Sequence, residues 1–371
     1  MNITFIIPFN AINGGHRVIS TYARKLAERG HRVNVVSQPL DTRIRPKDRI
    51  KRLLGRPNSQ QVMPVRSPLL DFLGDRHRVL DRPGPPRPED VPDADAIIAT
   101  WWETAEWVAA LPASKGRKFY LLQDYETFPH LPVERIISTY GLPLKKIAVS
   151  EYIRSEIKNN HGFGEIDVIP NAVDTQQFQA PIRPKNSTLT VGFLYTMTLR
   201  KSIRLAIDSL KLAKLCIPEL RASVFGSRPI AADLPLPDWI RYEQAPDQSR
   251  IPEIYANCDI WLFTSDNEGF GLPILEAMAC RTPVLATRAG AAPQLIDGIN
   301  GVLLPADAKA FADEIARFAQ MPDAEWREMS AAAHRTAAGY TWDDATDRLL
   351  ALLQSETTKA QTEPDITLPS A

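Results

Sequence analysis

Short apolar runs alternate with amphipathic helix patterns along most of the chain, and this alternation limits the fold more than any other feature. "ITFIIPF" reads as a buried strand. "GGHRVISTYARKLAERG" follows as a helix with Val18, Tyr22, Leu26 and Ala27 on one face and Gly30 at its C-cap, and "RVNVVS" is the next strand. "AIIAT", "KFYLLQ" and "KIAVS" continue the series, each followed by a helical pattern. A second series begins near "DVIPNAVD" and runs through "LTVGFLY", "RASVFGS", "DIWLFTS" and "PVLATR". Strands alternating with helices predict parallel sheets covered on both faces. The chain is therefore expected to be α/β, with two open α/β units joined near residues 165 to 185.

The length agrees with two units. At 371 residues the chain exceeds what one core fills, and two domains of roughly 150 to 190 residues are expected. We place an N-terminal domain at 1–168, with an irregular Arg- and Pro-rich insertion at about 41–95, and a C-terminal domain at 169–340. A last helix follows at 341–355, free to pack back on the N-terminal domain, and a polar, disordered tail is expected at 356–371.

Composition removes several classes of function. Lys plus Arg and Asp plus Glu both total 44, so nothing argues for bulk nucleic-acid binding. Cys216, Cys258 and Cys280 are scattered without metal spacing, which suits a reducing cytoplasm. The start, "MNITFIIPFN", lacks a basic n-region and a cleavage site and reads as a strand. No run of about 18 apolar residues spans a membrane. A cytoplasmic location follows, with peripheral contact at the inner membrane face as an option. That option rests on the basic stretch "TRIRPKDRIKRLLGR", where Ile50, Leu53 and Leu54 form an apolar edge.

In open parallel sheets ligands sit at the carboxyl ends of strands, so the cleft between two such units is the expected site. After the first strand, "FNAINGG" brings Asn13, Gly14 and Gly15 to the start of a helix. Glycines there admit a close backbone approach to an anion, although a plain loop reads equally well. The stretch is not G-x-G-x-x-G, so a nicotinamide site is poorly supported. After the first strand of the second unit, "FLYTMTLRKS" puts Arg200 and Lys201 at a loop-to-helix boundary, where they form either a solvated pair or a phosphate clamp.

The most informative stretch is "SDNEGFGLPILEAMACRTPVL". Glu268 and Glu276 flank a glycine turn and a helix opened by Pro273. Two carboxylates in so apolar a segment are costly unless something binds them. An ionised Glu276, placed in the first helical turn, is a bidentate acceptor for a vicinal diol such as a ribose. Glu268 lies within reach of a second polyol, and the N–H groups of Gly269, Phe270, Gly271 and Leu272 are positioned to face an anion. The bland alternative is a capping turn with two incidental glutamates.

These residues resemble the retaining glycosyltransferases of family 4, which have the GT-B fold: two doubly wound Rossmann-like domains facing across a cleft. The E-x(7)-E pattern carries the resemblance. "IPNAVDTQQF" resembles the family's Asn-Gly-Val-Asp linker, with Ala172 where glycine is usual. "INGGHRVISTYARKLAERGHRVNVV" and "AGAAPQLIDGINGVLL" resemble its opening and a later segment, with Gln294 where glutamate is common. The resemblance implies transfer of a sugar from a nucleotide-diphosphate donor to a hydroxyl on a glycan or lipid-linked acceptor, without a metal or other cofactor. It also implies roles: Glu276 on the donor ribose, Glu268 near the transferred sugar, and Phe270, Gly271 and Leu272 as backbone donors. Arg200 and Lys201 hold the diphosphate in this reading. Base selection is expected near "GSRPI", with Arg228 on the donor side, and near "QAPDQ".

Three positions depart from the family pattern. Tyr195 stands where an arginine is frequent, Ser202 where a glycine is usual, and "LLQDYETF" where a histidine often faces the acceptor. Gln123, Asp124 or Glu126 takes that last place, and Asp124 is taken as the catalytic candidate. "WWET" with "LQDYE" resembles bacterial rhamnosyltransferases of the family and points to polysaccharide or glycoconjugate synthesis. Two rivals remain: a sugar-nucleotide epimerase on the same fold, and an inactive subunit that binds a partner enzyme. Of the histidines, only His16 is placed to touch a phosphate.

Overall fold

The computed structural model describes residues 1–9, 14–39, 67–196 and 202–362. The chain divides into two compact units. One takes in Met1–Ala148, Ile157–Asp167 and the segment from Thr346; the other takes in Val149–Glu156 and Val168–Ala345.

The first unit is built on a seven-stranded sheet. Its strands are β1 (Asn2–Phe9), β2 (Arg32–Gln38), β3 (His77–Val79), β4 (Ala96–Ala99), β5 (Arg117–Leu122), β6 (Lys145–Ala148) and β7 (Ile166–Val168), in the order β3-β2-β1-β4-β5-β6-β7. β1 pairs in parallel with β2 and with β4, with Phe5 opposite both Val35 and Ile98. Ile3, Phe5, Ile6 and Ile7 are all buried, as the continuous apolar run requires of a strand covered on both faces. The helix Gly14–Glu28 buries Val18, Ile19, Tyr22, Ala23 and Leu26. Its end is closed by Gly30 N–H on the Ala27 carbonyl and His31 N–H on the Leu26 carbonyl, a Schellman pair.

Two expectations are corrected here. The segment from 67 to 95 is not irregular throughout, because 3-10 turns at Pro68–Arg76 and Pro88–Asp90 flank β3, which pairs in parallel with β2. The polar edge strand "HRV" is too short and too mixed to show an apolar period. The fold of this stretch is fixed by polar bonds: buried Asp90 accepts from Arg78 at 2.9 Å and from Arg82 at 2.5 Å. The final helix also runs from Trp342 to Thr362, past Ser355, where a disordered tail was expected. Arg117 pairs with Glu356 at 3.4 Å and Lys359 with Glu356 at 2.8 Å, so charge pairing carries the helix beyond its leucines.

The second unit holds a six-stranded sheet. Its strands are β8 (Thr190–Leu194), β9 (Arg221–Gly226), β10 (Ile240–Gln244), β11 (Ile260–Phe263), β12 (Val284–Ala286) and β13 (Gly301–Leu303), ordered β10-β9-β8-β11-β12-β13 with every neighbour parallel. The helices Ile203–Cys216 and Ala308–Gln320 cover one face through Ala206, Ile207, Leu210, Phe311, Ile315 and Phe318. Buried Asp259 anchors the chain entering this unit. It accepts from Arg183 at 2.9 Å, from the Thr190 N–H at 2.9 Å and from the Asn186 N–H at 3.0 Å.

Candidate functional site

In the second sheet the chain leaves β8 toward β9 and β10, then returns to add β11, β12 and β13 on the other side. The crevice at the carboxyl ends of β8 and β11 is therefore the topological switch point, the place where open α/β sheets take ligands. A small depression there is lined by Phe193 and Leu194 of β8, by Trp261 through Ser265 of β11 and its extension, and by Pro273.

The loop leaving β11 is held from several directions. Ser265 is buried; its hydroxyl donates to Glu268 Oε1 at 3.1 Å, and its carbonyl accepts from the Thr287 hydroxyl. The Gly269 carbonyl accepts from the buried Ser150 hydroxyl at 2.5 Å, and the Phe270 carbonyl from the Ala291 N–H at 2.8 Å. The Asn267 side-chain oxygen accepts from the Tyr152 hydroxyl at 3.1 Å. Gly271 has φ 96° and ψ 56°, left-handed backbone, and a Cβ there would lie 2.7 Å from the Phe263 ring. Only glycine meets both conditions.

The helix that follows spans Leu272–Ala279 and has Pro273 in its first turn. Glu276 stands just past that turn, which corrects its expected place in the first turn. The helix-terminus charge effect fades within that turn, and a phenol meets the carboxylate instead: Tyr255 donates to Glu276 Oε2 at 2.8 Å. Glu268 and Glu276 are both half-buried. Leu272 opens the helix directly after Phe270 and Gly271, and the first N–H groups of a helix have no intrahelical acceptor.

The loop leaving β8 meets the loop leaving β11 at Ser202. Arg200 and Lys201 lie outside the described residues. Ser202 itself has φ 40° and ψ 47°, left-handed without being glycine. Its hydroxyl donates to Asp266 Oδ2 at 2.9 Å, and its carbonyl accepts from Thr264 at 3.2 Å. Ser202 thus ties the two loops together.

Tyr195 is buried. Its hydroxyl donates to the Leu234 carbonyl at 2.9 Å and accepts from the Ala231 N–H at 3.0 Å. Tyr242 donates to the Arg228 carbonyl, and its ring meets Tyr195 edge-on. Two phenols therefore pin the loop after β9, on which the Arg228 side chain is exposed. Tyr195 is a packing and hydrogen-bonding residue, so an arginine's role at the cleft does not pass to it.

In the first unit the switch point falls between β1 and β4. Asn13 lies outside the described residues; Gly14 is exposed and Gly15 half-buried at the helix start. His16 does not serve as a cation. It is buried, its Nε2–H donates to the Phe9 carbonyl at 2.5 Å, and burial lowers its pKa, which favours the neutral ring. Among the three acceptor-side candidates, Glu126 is buried and accepts from the Trp102 N–H at 3.0 Å. It caps the helix Trp102–Ala110, so "WWET" and "LQDYE" are joined structurally. Asp124 is half-buried and accepts from the Tyr125 N–H at 2.9 Å, and Gln123 reaches the Thr100 carbonyl at 3.5 Å.

Sequence reasoning missed Ser150, Tyr255 and Thr287 as supports of the Glu268–Glu276 segment. They come from other loops and helices, and spacing carries no trace of such contacts.

Residues 12–177 match the family model described as Glycosyltransferase Family 4, and residues 186–321 match that of Glycosyl transferases group 1. A D-inositol 3-phosphate glycosyltransferase of Saccharomonospora viridis is 35% identical over 123 residues, 33% of this chain and 28% of that protein. The O-antigen chain mannosyltransferase B of Escherichia coli is 34% identical over 114 residues, 30% of this chain and 29% of the relative. The chain thus aligns with less than a third of the length of these curated relatives. Among solved structures, Anabaena HepE in complex with UDP superposes with a TM-score of 0.73 at 18% identity, covering 96% of this chain and 100% of that one. Sucrose-phosphate synthase from Thermosynechococcus elongatus superposes at 0.72 and 18%, covering 96% and 99%.

The two sheets, their switch points and these superpositions define a protein of the GT-B fold, with two Rossmann-like domains. Both domains carry the models of glycosyltransferase families.

Proposed function

We propose that the protein is a retaining glycosyltransferase of family 4 type, moving a hexosyl or deoxyhexosyl group from a nucleotide-diphosphate donor to a hydroxyl of a glycan or lipid-linked acceptor. The observation that carries this reading is the Glu268–Glu276 segment at the switch point of the second sheet, with its turn fixed by Ser150 and Gly271 and its second carboxylate held by Tyr255. Anabaena HepE, of the same fold, has been solved with UDP-glucose, which supports a sugar nucleotide as ligand.

In the proposed reaction the bond from the anomeric carbon to the diphosphate oxygen breaks, and a bond to the acceptor oxygen forms on the same face. The acceptor's proton passes to the departing diphosphate. Glu276 accepts the ribose hydroxyls, Glu268 orients the transferred sugar, and the N–H groups from Gly269 to Leu272 face the growing negative charge. Lys201, with Arg200, completes the charge on the leaving group, and Asp124 lies on the acceptor side. The reading needs no metal. Polysaccharide or glycoconjugate synthesis is the setting it fits, and the mannosyltransferase among the relatives supports a sugar-polymer role. No described helix is long and apolar enough to cross a membrane. The basic stretch proposed to touch an anionic membrane lies outside the described residues, and flotation with anionic against neutral vesicles tests it.

The deciding experiment incubates the protein with a panel of sugar nucleotides, with and without hydroxyl acceptors. Acceptor-dependent release of nucleoside diphosphate, with the donor's anomeric configuration kept in the product by proton NMR, supports the proposal. Conversion of donor alone to an epimeric sugar nucleotide overturns it.

A further inference from the structure

We propose that Tyr255, which lies outside the E-x(7)-E segment, is a positioning residue for the donor: its phenol fixes the carboxylate of Glu276 in the orientation that receives a vicinal diol. The inference rests on the assignment of Glu276 to the donor ribose made above.

Tyr255 lies next to the end of the short helix Ile251–Ala256 and is fully buried. Its ring sits among Trp261 at 4.3 Å, Phe225 at 5.8 Å and Phe178 at 6.1 Å between centroids. A phenylalanine would fill this aromatic box equally well. The hydroxyl adds nothing to that packing and costs free energy inside it unless hydrogen-bonded. It donates at 2.8 Å to Glu276 Oε2, on a helix that begins 17 residues later in the chain (from 255 to 272). The backbone fixes the same pair of elements, because the Tyr255 carbonyl accepts from the Thr282 hydroxyl at 2.7 Å in the turn after Glu276's helix.

Glu276 is half-buried, so the residue is neither sealed in the core nor fully solvated. An ionised carboxylate offers about four acceptor sites. A phenol on Oε2 sets the plane of the group while occupying only one of those sites. Glutamate gives up substantial rotamer freedom when a ligand fixes it. A carboxylate ordered beforehand avoids that loss, so Tyr255 strengthens donor binding without touching the donor.

The test measures binding of UDP, GDP, ADP and dTDP by calorimetry to wild type, Tyr255→Phe, Glu276→Ala and the double variant. Thermal unfolding and donor kinetics are followed alongside. Tyr255→Phe is expected to raise Kd and the donor KM about ten-fold, the size of one lost hydrogen bond to a charged group. kcat at saturating donor should stay at the wild-type level. In the Glu276→Ala background the same substitution should add nothing, since the two residues act through one contact. A merely structural role would lower the unfolding midpoint and the active fraction with KM unchanged. If Glu276→Ala weakens nucleotide binding but Tyr255→Phe does not, or if the two losses add, the positioning role is overturned and the function reading stands. If no nucleotide binds the wild type, or Glu276→Ala binds as wild type does, the donor assignment itself falls. Should Tyr255→Phe fail to fold, Glu276→Gln decides. Its amide oxygen still accepts from the phenol, so affinity between wild type and Glu276→Ala is expected, and a loss equal to that of Glu276→Ala overturns the proposal.

Discussion

Gly290 is pressed against Glu268: a Cβ built at Gly290 would lie 2.9 Å from the Glu268 Cβ and 2.7 Å from the Phe270 carbonyl. Its φ of 57° is also left-handed. The loop after β12 thus sets the back wall of the turn that carries the first glutamate. Gly290→Ala must push that turn outward, at about 1–3 kcal/mol for overpacking. We expect a lower unfolding midpoint and weaker donor turnover together, measured by thermal unfolding and initial rates. Wild-type values for both would show that the contact relaxes freely.

Under the proposed function, Glu276→Ala removes the acceptor for two ribose hydroxyls. Donor affinity should fall by about 1.5–3 kcal/mol, and Glu276→Gln should recover only part of that. Calorimetric titration checks it, and unchanged affinity in the alanine variant rejects the ribose assignment.

Tyr195→Phe breaks the hydrogen bonds to Ala231 and Leu234 and should cost about 1–3 kcal/mol of stability by urea unfolding. Tyr195→Arg should be worse, because it places a charge at a site only 2% exposed. A gain in turnover from the arginine, without loss of stability, would mean that position 195 can reach the leaving group after all.

Burial holds the His16 pKa below its usual value of about 6.5. The folded chain therefore binds this proton less readily than the unfolded chain. The corresponding stability is complete above about pH 6.5 and is lost as pH falls through the folded-state pKa. His16→Gln should flatten the decline in urea midpoint on acidification below pH 6.5. His31 titrates in the same direction and remains as background in both proteins. An unchanged slope would show that His16 is solvated in solution.

The sequence was most legible where a pattern repeats. β1, β4, β5, β8, β11 and β12 are continuous apolar runs, and the sheets they form follow from that. The edge strands β3 and β10, "HRV" and "IRYEQ", carry charges on solvated faces and gave no apolar period. In the site, the glycine turn and Pro273 were readable because local geometry demands those residues. Ser150, Tyr255 and Thr287 were not. Each meets the segment through a long-range contact, Ser150 across 119 residues of chain, and any serine, tyrosine or threonine in a helix or loop looks the same beforehand. The helix starts at Leu272, one residue before Pro273, which moves Glu276 just past the first turn, a one-residue shift that spacing alone cannot resolve.

The central claim, that the switch point of the second sheet binds a sugar nucleotide through Glu276, is tested most directly by a thermal-shift titration of nucleotide sugars on wild type and Glu276→Ala. A ligand at a hundred times its Kd stabilises the folded state by about 2.7 kcal/mol. The account predicts that at least one UDP- or GDP-sugar raises the wild-type midpoint by the corresponding amount and that the same concentration moves the Glu276→Ala midpoint much less. Equal shifts in the two proteins, or no shift in wild type with any nucleotide sugar, would contradict it.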